Sequence, residues 1–147
     1  MAQILDYFIE PAYGQVCISD RDSELSWRST FNEQRVAFDE TSITIAVTDE
    51  EPERQVEVEV YWGRGDKPPL QYLKQIFDGV INLTRAGLLV FAPTGDEVLL
   101  EEIPNGSHRI AIYHDGYPTS RLVVFIDADS LAVAVWRYQH PGNHPAG

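Results

Sequence analysis

Cys17 is the chain's single cysteine. Without a second thiol there is no internal disulfide and no cysteine-paired zinc site. Cys17 falls in an alternating run with no histidine beside it in sequence, which reads as a buried, inert thiol and not as a nucleophile. Positive charge is scarce as well: 11 Lys and Arg stand against 23 Asp and Glu, a net charge of −12. Direct nucleic-acid binding needs a Lys/Arg surface to neutralise phosphates, and anionic membranes need the same, so both are disfavoured. No apolar run approaches the ~20 residues of a membrane span. Residues 1–10 show neither the basic nor the apolar region of a secretory leader. With the lone cysteine, this sets the expectation of a cytoplasmic protein.

Catalytic signatures are missing too. No Ser sits in a Gly-x-Ser-x-Gly elbow, and no Gly-rich loop of phosphate-cradling type occurs. The four histidines are His108, His114, His140 and His144. His108 and His114 share a strand face but stand ~20 Å apart at ~3.3 Å per residue, too far for one ion. His140 and His144 flank Pro141-Gly142 in the tail, and no cysteine pair assists them. The acid spacing at Asp20-Arg-Asp-Ser-Glu24 begins like a calcium loop. Leu25 stands where that loop needs Gly, and the twelfth position holds no Glu. No metal, no cofactor and no enzyme chemistry is expected. Arg64-Gly-Asp66 and Asn82-Leu-Thr84 match adhesion and glycosylation tripeptides, which carry no meaning in a cytoplasmic chain.

What the chain does have is rings and alternation. Its 147 residues include seven Tyr, six Phe and three Trp, with 44 % hydrophobic residues in all. A chain of this length buries roughly 70 % of its unfolded surface and stands without a staple. The expected organisation is one β domain over residues 1–139 and a flexible tail over 140–147. Short runs recur between turn signals at 3–9, 13–19, 32–38, 42–48, 55–62, 75–84, 88–92, 97–102, 107–114, 121–126 and 131–138. Leu70, Leu73, Ile76 and Phe77 also fit one short helical turn before the strand at 75–84. Trp27 reads as a core or rim anchor. About ten short strands with at most one short helix mean an all-β fold. An antiparallel β-sandwich is expected, with a β-barrel as the alternative. Asn105-Gly106 predicts a hairpin turn, because both residues tolerate positive φ.

The densest signal is Asp49-Glu-Glu-Pro-Glu-Arg-Gln-Val-Glu-Val-Glu-Val-Tyr-Trp62. Val56, Val58 and Val60 alternate with Glu57, Glu59 and Tyr61, so one face seeks a core and the other carries carboxylates into water. Trp62 suits core packing. The acidic segment ahead of it reads as the connection of a hairpin between 42–48 and 55–62. Charge is uneven: residues 1–60 hold 14 acids and 4 bases, residues 61–147 hold 9 and 7. Acidity serves solubility in many proteins. Concentrated on a rigid sheet it also suits a protein that blocks a basic partner, its carboxylates standing where phosphates would bind. The candidate partner-binding set is Asp49, Glu50, Glu51, Glu53, Glu57, Glu59 and Tyr61. A sandwich module for a small ligand, or a subunit of a larger assembly, is the alternative.

Tyr13-Gly-Gln-Val16, Trp27, Gln34-Arg-Val-Ala-Phe38, the Ile43 strand, Val56-Glu-Val-Glu-Val60 and Ile103-Pro-Asn-Gly-Ser-His-Arg-Ile110 follow one another in an order that resembles the competence protein J family. That family includes the inhibitor of the DNA-entry nuclease. The likeness spans roughly residues 10–115. It implies a small β protein that binds and silences a nuclease, in the manner of an immunity protein. It assigns no interface residue.

Overall fold

The valine alternation at 56–60 does what its period requires: Val56, Val58 and Val60 are buried. The computed structural model describes residues 1–23, 31–50, 54–65, 67–85, 87–93 and 95–127. The predicted strand at 131–138, the tail at 140–147, Trp27, Glu51, Glu53 and Asp66 lie outside the described residues. Ten strands form: β1 (Ala2–Ile9), β2 (Gln15–Asp20), β3 (Val36–Phe38), β4 (Ser42–Ala46), β5 (Val56–Gly63), β6 (Lys74–Leu83), β7 (Leu88–Phe91), β8 (Glu97–Leu100), β9 (Gly106–His114) and β10 (Arg121–Asp127). Among the described residues there is no helix. The segment before β6 is a turn closed by the Leu73 amide donating to the Leu70 carbonyl at 3.2 Å.

The strands divide into two five-stranded sheets, ordered β1-β5-β10-β9-β6 and β3-β4-β2-β7-β8. Each described sheet has two edge strands, so neither closes on itself, and the fold is a sandwich. Ile9, Val58, Ile110, Ile112, Leu122 and Val124 from the first sheet share one apolar core with Val16, Ile18, Ile43, Ile45, Leu88 and Val90 from the second.

Three connections depart from the sequence reading. The segments 42–48 and 55–62 do not form a hairpin. β4 lies in the second sheet between β3 and β2, and β5 lies in the first between β1 and β10. The acidic connection therefore carries the chain from one sheet to the other. Alternation says which residues face the core but not from which side, and Ile43 and Val58 reach the same core from opposite sheets. Asn105-Gly106 likewise joins no adjacent strands. β8 and β9 belong to different sheets, and Gly106 with φ +121 opens β9 opposite Leu83. Finally, β5 and β10 run parallel, from Glu57↔Arg121 to Gly63↔Asp127, in sheets whose other pairs are antiparallel.

Pairing places many strand termini at one end of the sandwich. Ile9 closes β1 beside Val56, where β5 begins. Arg121 opens β10 beside Glu57, and His114 closes β9 beside both Leu122 and Lys74, the start of β6. In the second sheet, Gln15 opens β2 beside Ala46, the end of β4. The sheets are joined there: the Gly14 carbonyl accepts from the Val47 amide at 2.8 Å, and the Val47 carbonyl accepts from the Thr119 amide at 2.7 Å. Residues 12–14, 47–50 and 115–120 thus form one loop end.

Candidate partner-binding surface

Glu57, Glu59 and Tyr61 share the outward side of β5, as their spacing demands, but they do not share an environment. Glu59 is only 7 % exposed. Its Oε2 accepts from Arg121 Nε at 2.5 Å, and its Oε1 accepts from the Tyr61 hydroxyl at 3.2 Å and from Gln3 Nε2 at 3.3 Å. A carboxylate withdrawn from water requires such donors, since a buried unpaired charge costs several kcal/mol. Tyr61 is half-buried. Burial first, and then the negative Glu59, push its hydroxyl above the usual tyrosine range. Its ring lies 5.3 Å from that of Phe125.

Alternation predicted water around all three residues, and the neighbouring strand explains why Glu59 has little. Val123 pairs with Glu59 and Phe125 with Tyr61, so both lie on the outward side. Both are nevertheless 1 % exposed. Lys67 Nζ sits 5.1 Å over the Phe125 ring, and Tyr113 packs edge-on against it at 5.7 Å. The signal was in β10 itself. Leu122-Val-Val-Phe-Ile126 is apolar at every position, the mark of a strand dry on both faces.

Glu57 is half-buried and hydrogen-bonded to Asp6 across the β1–β5 pair. That bond, then burial, then the Asp6 and Glu59 charges raise its pKa, against the pull of Arg121. Glu57 is one member of a carboxyl pair and not an isolated charge.

The loop end is built differently. Asp49 and Glu50 are exposed, and among the described residues no hydrogen bond or ion pair engages their carboxylates. The Thr48 hydroxyl accepts from the Glu50 amide at 3.0 Å and sets the turn. Beside them Tyr13 (φ +53) and Gly14 (φ +69) occupy the centre of a tight turn closed by the Gln15 amide donating to the Ala12 carbonyl at 3.0 Å. Two successive positive φ values are those of a type I′ turn. Gly suits its second position; the tyrosine at the first is 76 % exposed. Arg35 (φ +63) adjoins this end through its carbonyl, which accepts from the Ala46 amide, and its guanidinium lies 3.7 Å over the Tyr117 ring. Asp115 supports the β9–β10 connection by accepting from the Ser120 and Arg121 amides at 3.0 and 3.1 Å. Of the sequence-derived set, then, Asp49 and Glu50 stand together in water, Glu57, Glu59 and Tyr61 are tied into the sheet, and Glu51 and Glu53 lie outside the described residues. Sequence reasoning passed over Tyr13 and Arg35, whose signal is a backbone angle that no residue type spells out.

Elsewhere the chemistry is quiet. Cys17 is buried against the Thr44 hydroxyl at 3.7 Å, and burial pushes its thiol up to about 11. His108 Nε2 donates to the Pro104 carbonyl at 2.7 Å, under the edge of Trp62. Among the described residues, no three His, Cys, Asp or Glu gather as metal ligands. One cavity of about 170 Å³ is lined by Lys67, Asp78, Arg109 and Phe125 among others. A shallower depression of about 350 Å³ lies over Asp20, Leu89 and Phe91. The first is small for a ligand pocket and the second is open, where small-molecule sites are enclosed and mostly apolar.

The molecule is therefore an all-β, two-sheet sandwich whose open chemistry is charge and exposed rings. Compared with solved structures, it has the fold of ComJ, inhibitor of the DNA degrading activity of NucA, from Bacillus subtilis. The match has a TM-score of 0.69 at 10 % identity and covers 87 % of this chain and 98 % of that one. No protein-family model matches the chain, and no curated protein matches it in sequence. The likeness is one of fold.

Proposed function

We propose that this protein is an inhibitor that binds a nuclease and blocks its attack on DNA. The observation that carries the reading is the architecture shared with ComJ along nearly the whole of both chains. The net charge of −12 supports it from a separate direction. A nuclease that handles DNA presents a basic cleft to phosphates, and an acidic protein competes for that cleft while its charge speeds encounter. Asp49 and Glu50, exposed and unpaired among the described residues, are the carboxylates offered to such a cleft.

Titrating the purified protein into a DNA-degradation assay, with NucA as the first nuclease tried, tests the reading. DNA hydrolysis should fall to background near equimolar protein at low salt. The inhibition should weaken as salt rises, because surface charges are screened within about 10 Å at 0.1 M. DNA degradation that continues unchanged at a large molar excess and low salt would sink the proposal.

A further inference from the structure

Three described residues other than glycine have positive φ: Tyr13 at +53, Arg35 at +63 and Tyr72 at +66. Such angles are costly for side-chain-bearing residues. All three are exposed, Tyr72 at 95 %. All three sit one or two residues ahead of a strand that starts at the same end of the sandwich: Tyr13 before β2, Arg35 before β3 and Tyr72 before β6. They are also of the residue types, Tyr and Arg, that dominate binding energy at protein interfaces. Lys74, two residues after Tyr72, pairs with His114, and the loop that follows His114 carries Tyr117 with Arg35 over its ring, so the Tyr72 turn and the Arg35–Tyr117 stack share this end. The Gly14 carbonyl, which accepts from the Val47 and Thr48 amides, places Tyr13 beside Asp49 and Glu50.

Building on the inhibitor reading, we infer that this loop end is the contact surface, with Tyr13 and Tyr72 as its anchors and Asp49 and Glu50 as its charged margin. The occupant is a protein with a basic surface that offers recesses for the two rings. Rings on tight turns lose little freedom on binding, because the turns already hold their backbones. Carboxylates at the margin set the approach of a basic partner, while the rings hold it once docked. Arg35, 3.7 Å over the Tyr117 ring, holds a further aromatic side chain at this end.

The test uses the full chain and the same nuclease assay. Tyr13→Asn and Tyr72→Asn remove the rings while keeping a residue that tolerates positive φ, so the turns survive. Each should weaken inhibition at least about tenfold with little change in melting temperature. Asp49→Asn with Glu50→Gln should slow association and reduce its salt dependence. Glu101→Gln with Glu102→Gln removes the same charge from exposed positions at the opposite end and should leave inhibition unchanged. If the wild type inhibits and the tyrosine variants inhibit equally well, the inference is overturned while the inhibitor reading stands. If the wild type itself fails to inhibit, both fall. If the Glu101/Glu102 variant weakens inhibition as much as the Asp49/Glu50 variant, charge counts and position does not, and the loop end is again rejected.

Discussion

The outward face of β5 and the loop end are both acidic in sequence, and they use acidity in opposite ways. On β5, Glu59 is withdrawn from water and spent on Arg121, Tyr61 and Gln3. Glu57 is paired with Asp6. At the loop end Asp49 and Glu50 remain in solvent beside an exposed tyrosine. Position in the sheet makes the difference. β5 is an interior strand flanked by β1 and β10, and β10 brings an apolar outward side that dries its neighbourhood. A loop at the end of the sandwich has no such neighbour. A carboxylate's sequence context therefore says less about its availability than the strand that lies next to it.

The comparison breaks most forcefully at Arg121. Arg121→Ala leaves Glu59 buried with its charge uncompensated on one oxygen. Because Arg121 is itself partly exposed, the expected loss is about 2 kcal/mol, below the 3–5 of a fully buried pair. In urea denaturation the midpoint should drop without a change in slope, and the melting temperature should fall by roughly 6 °C. Neutralising Asp49 and Glu50 together should shift stability by less than about 0.5 kcal/mol. The two changes thus separate a structural carboxylate from open ones in a single assay.

Titration sharpens the contrast with a smaller effect. The Glu57 carboxyl is held above its ordinary 4.5, chiefly by its bond to Asp6. The folded state binds that proton more tightly than the unfolded state, so stability should decline as pH rises just above 4.5. Glu57→Gln should flatten that decline. Asp115 behaves with the opposite sign. Burial works to raise it, but hydrogen bonds from Ser120 and Arg121 outweigh burial and hold it below 3.8. Its contribution is present above 3.8 and lost as pH falls through the lowered value, so Asp115→Asn should remove part of the acid-side loss. Thermal melts across pH 3–6 read both.

The strands themselves were largely legible. β5, β4, β6 and β10 form where alternation or apolar runs predict them, because a period of two is a local property. Sheet membership was not legible. Pairing β5 with β1 and β10 joins residues some fifty or more positions apart, and nothing in the 49–53 acids announces a crossover in place of a hairpin. In the surface, Asp49 and Glu50 were readable from charge alone, whereas Glu59 misled because its dryness comes from Val123 and Phe125. Tyr13 was read as the first residue of a strand. In the structure it precedes β2, turned outward by the positive φ of the tight turn that the Ala12–Gln15 hydrogen bond closes.

Hydrogen exchange of the protein with and without the nuclease of the inhibition assay tests most directly whether the loop end is the proposed contact surface. Bound nuclease should slow exchange at backbone amides of residues 13–15, 48–50 and 72–74 and leave residues 39–41 and 101–103 at the opposite end unchanged. Slowing confined to the opposite end, with the loop end exchanging as fast as in the free protein, would contradict it.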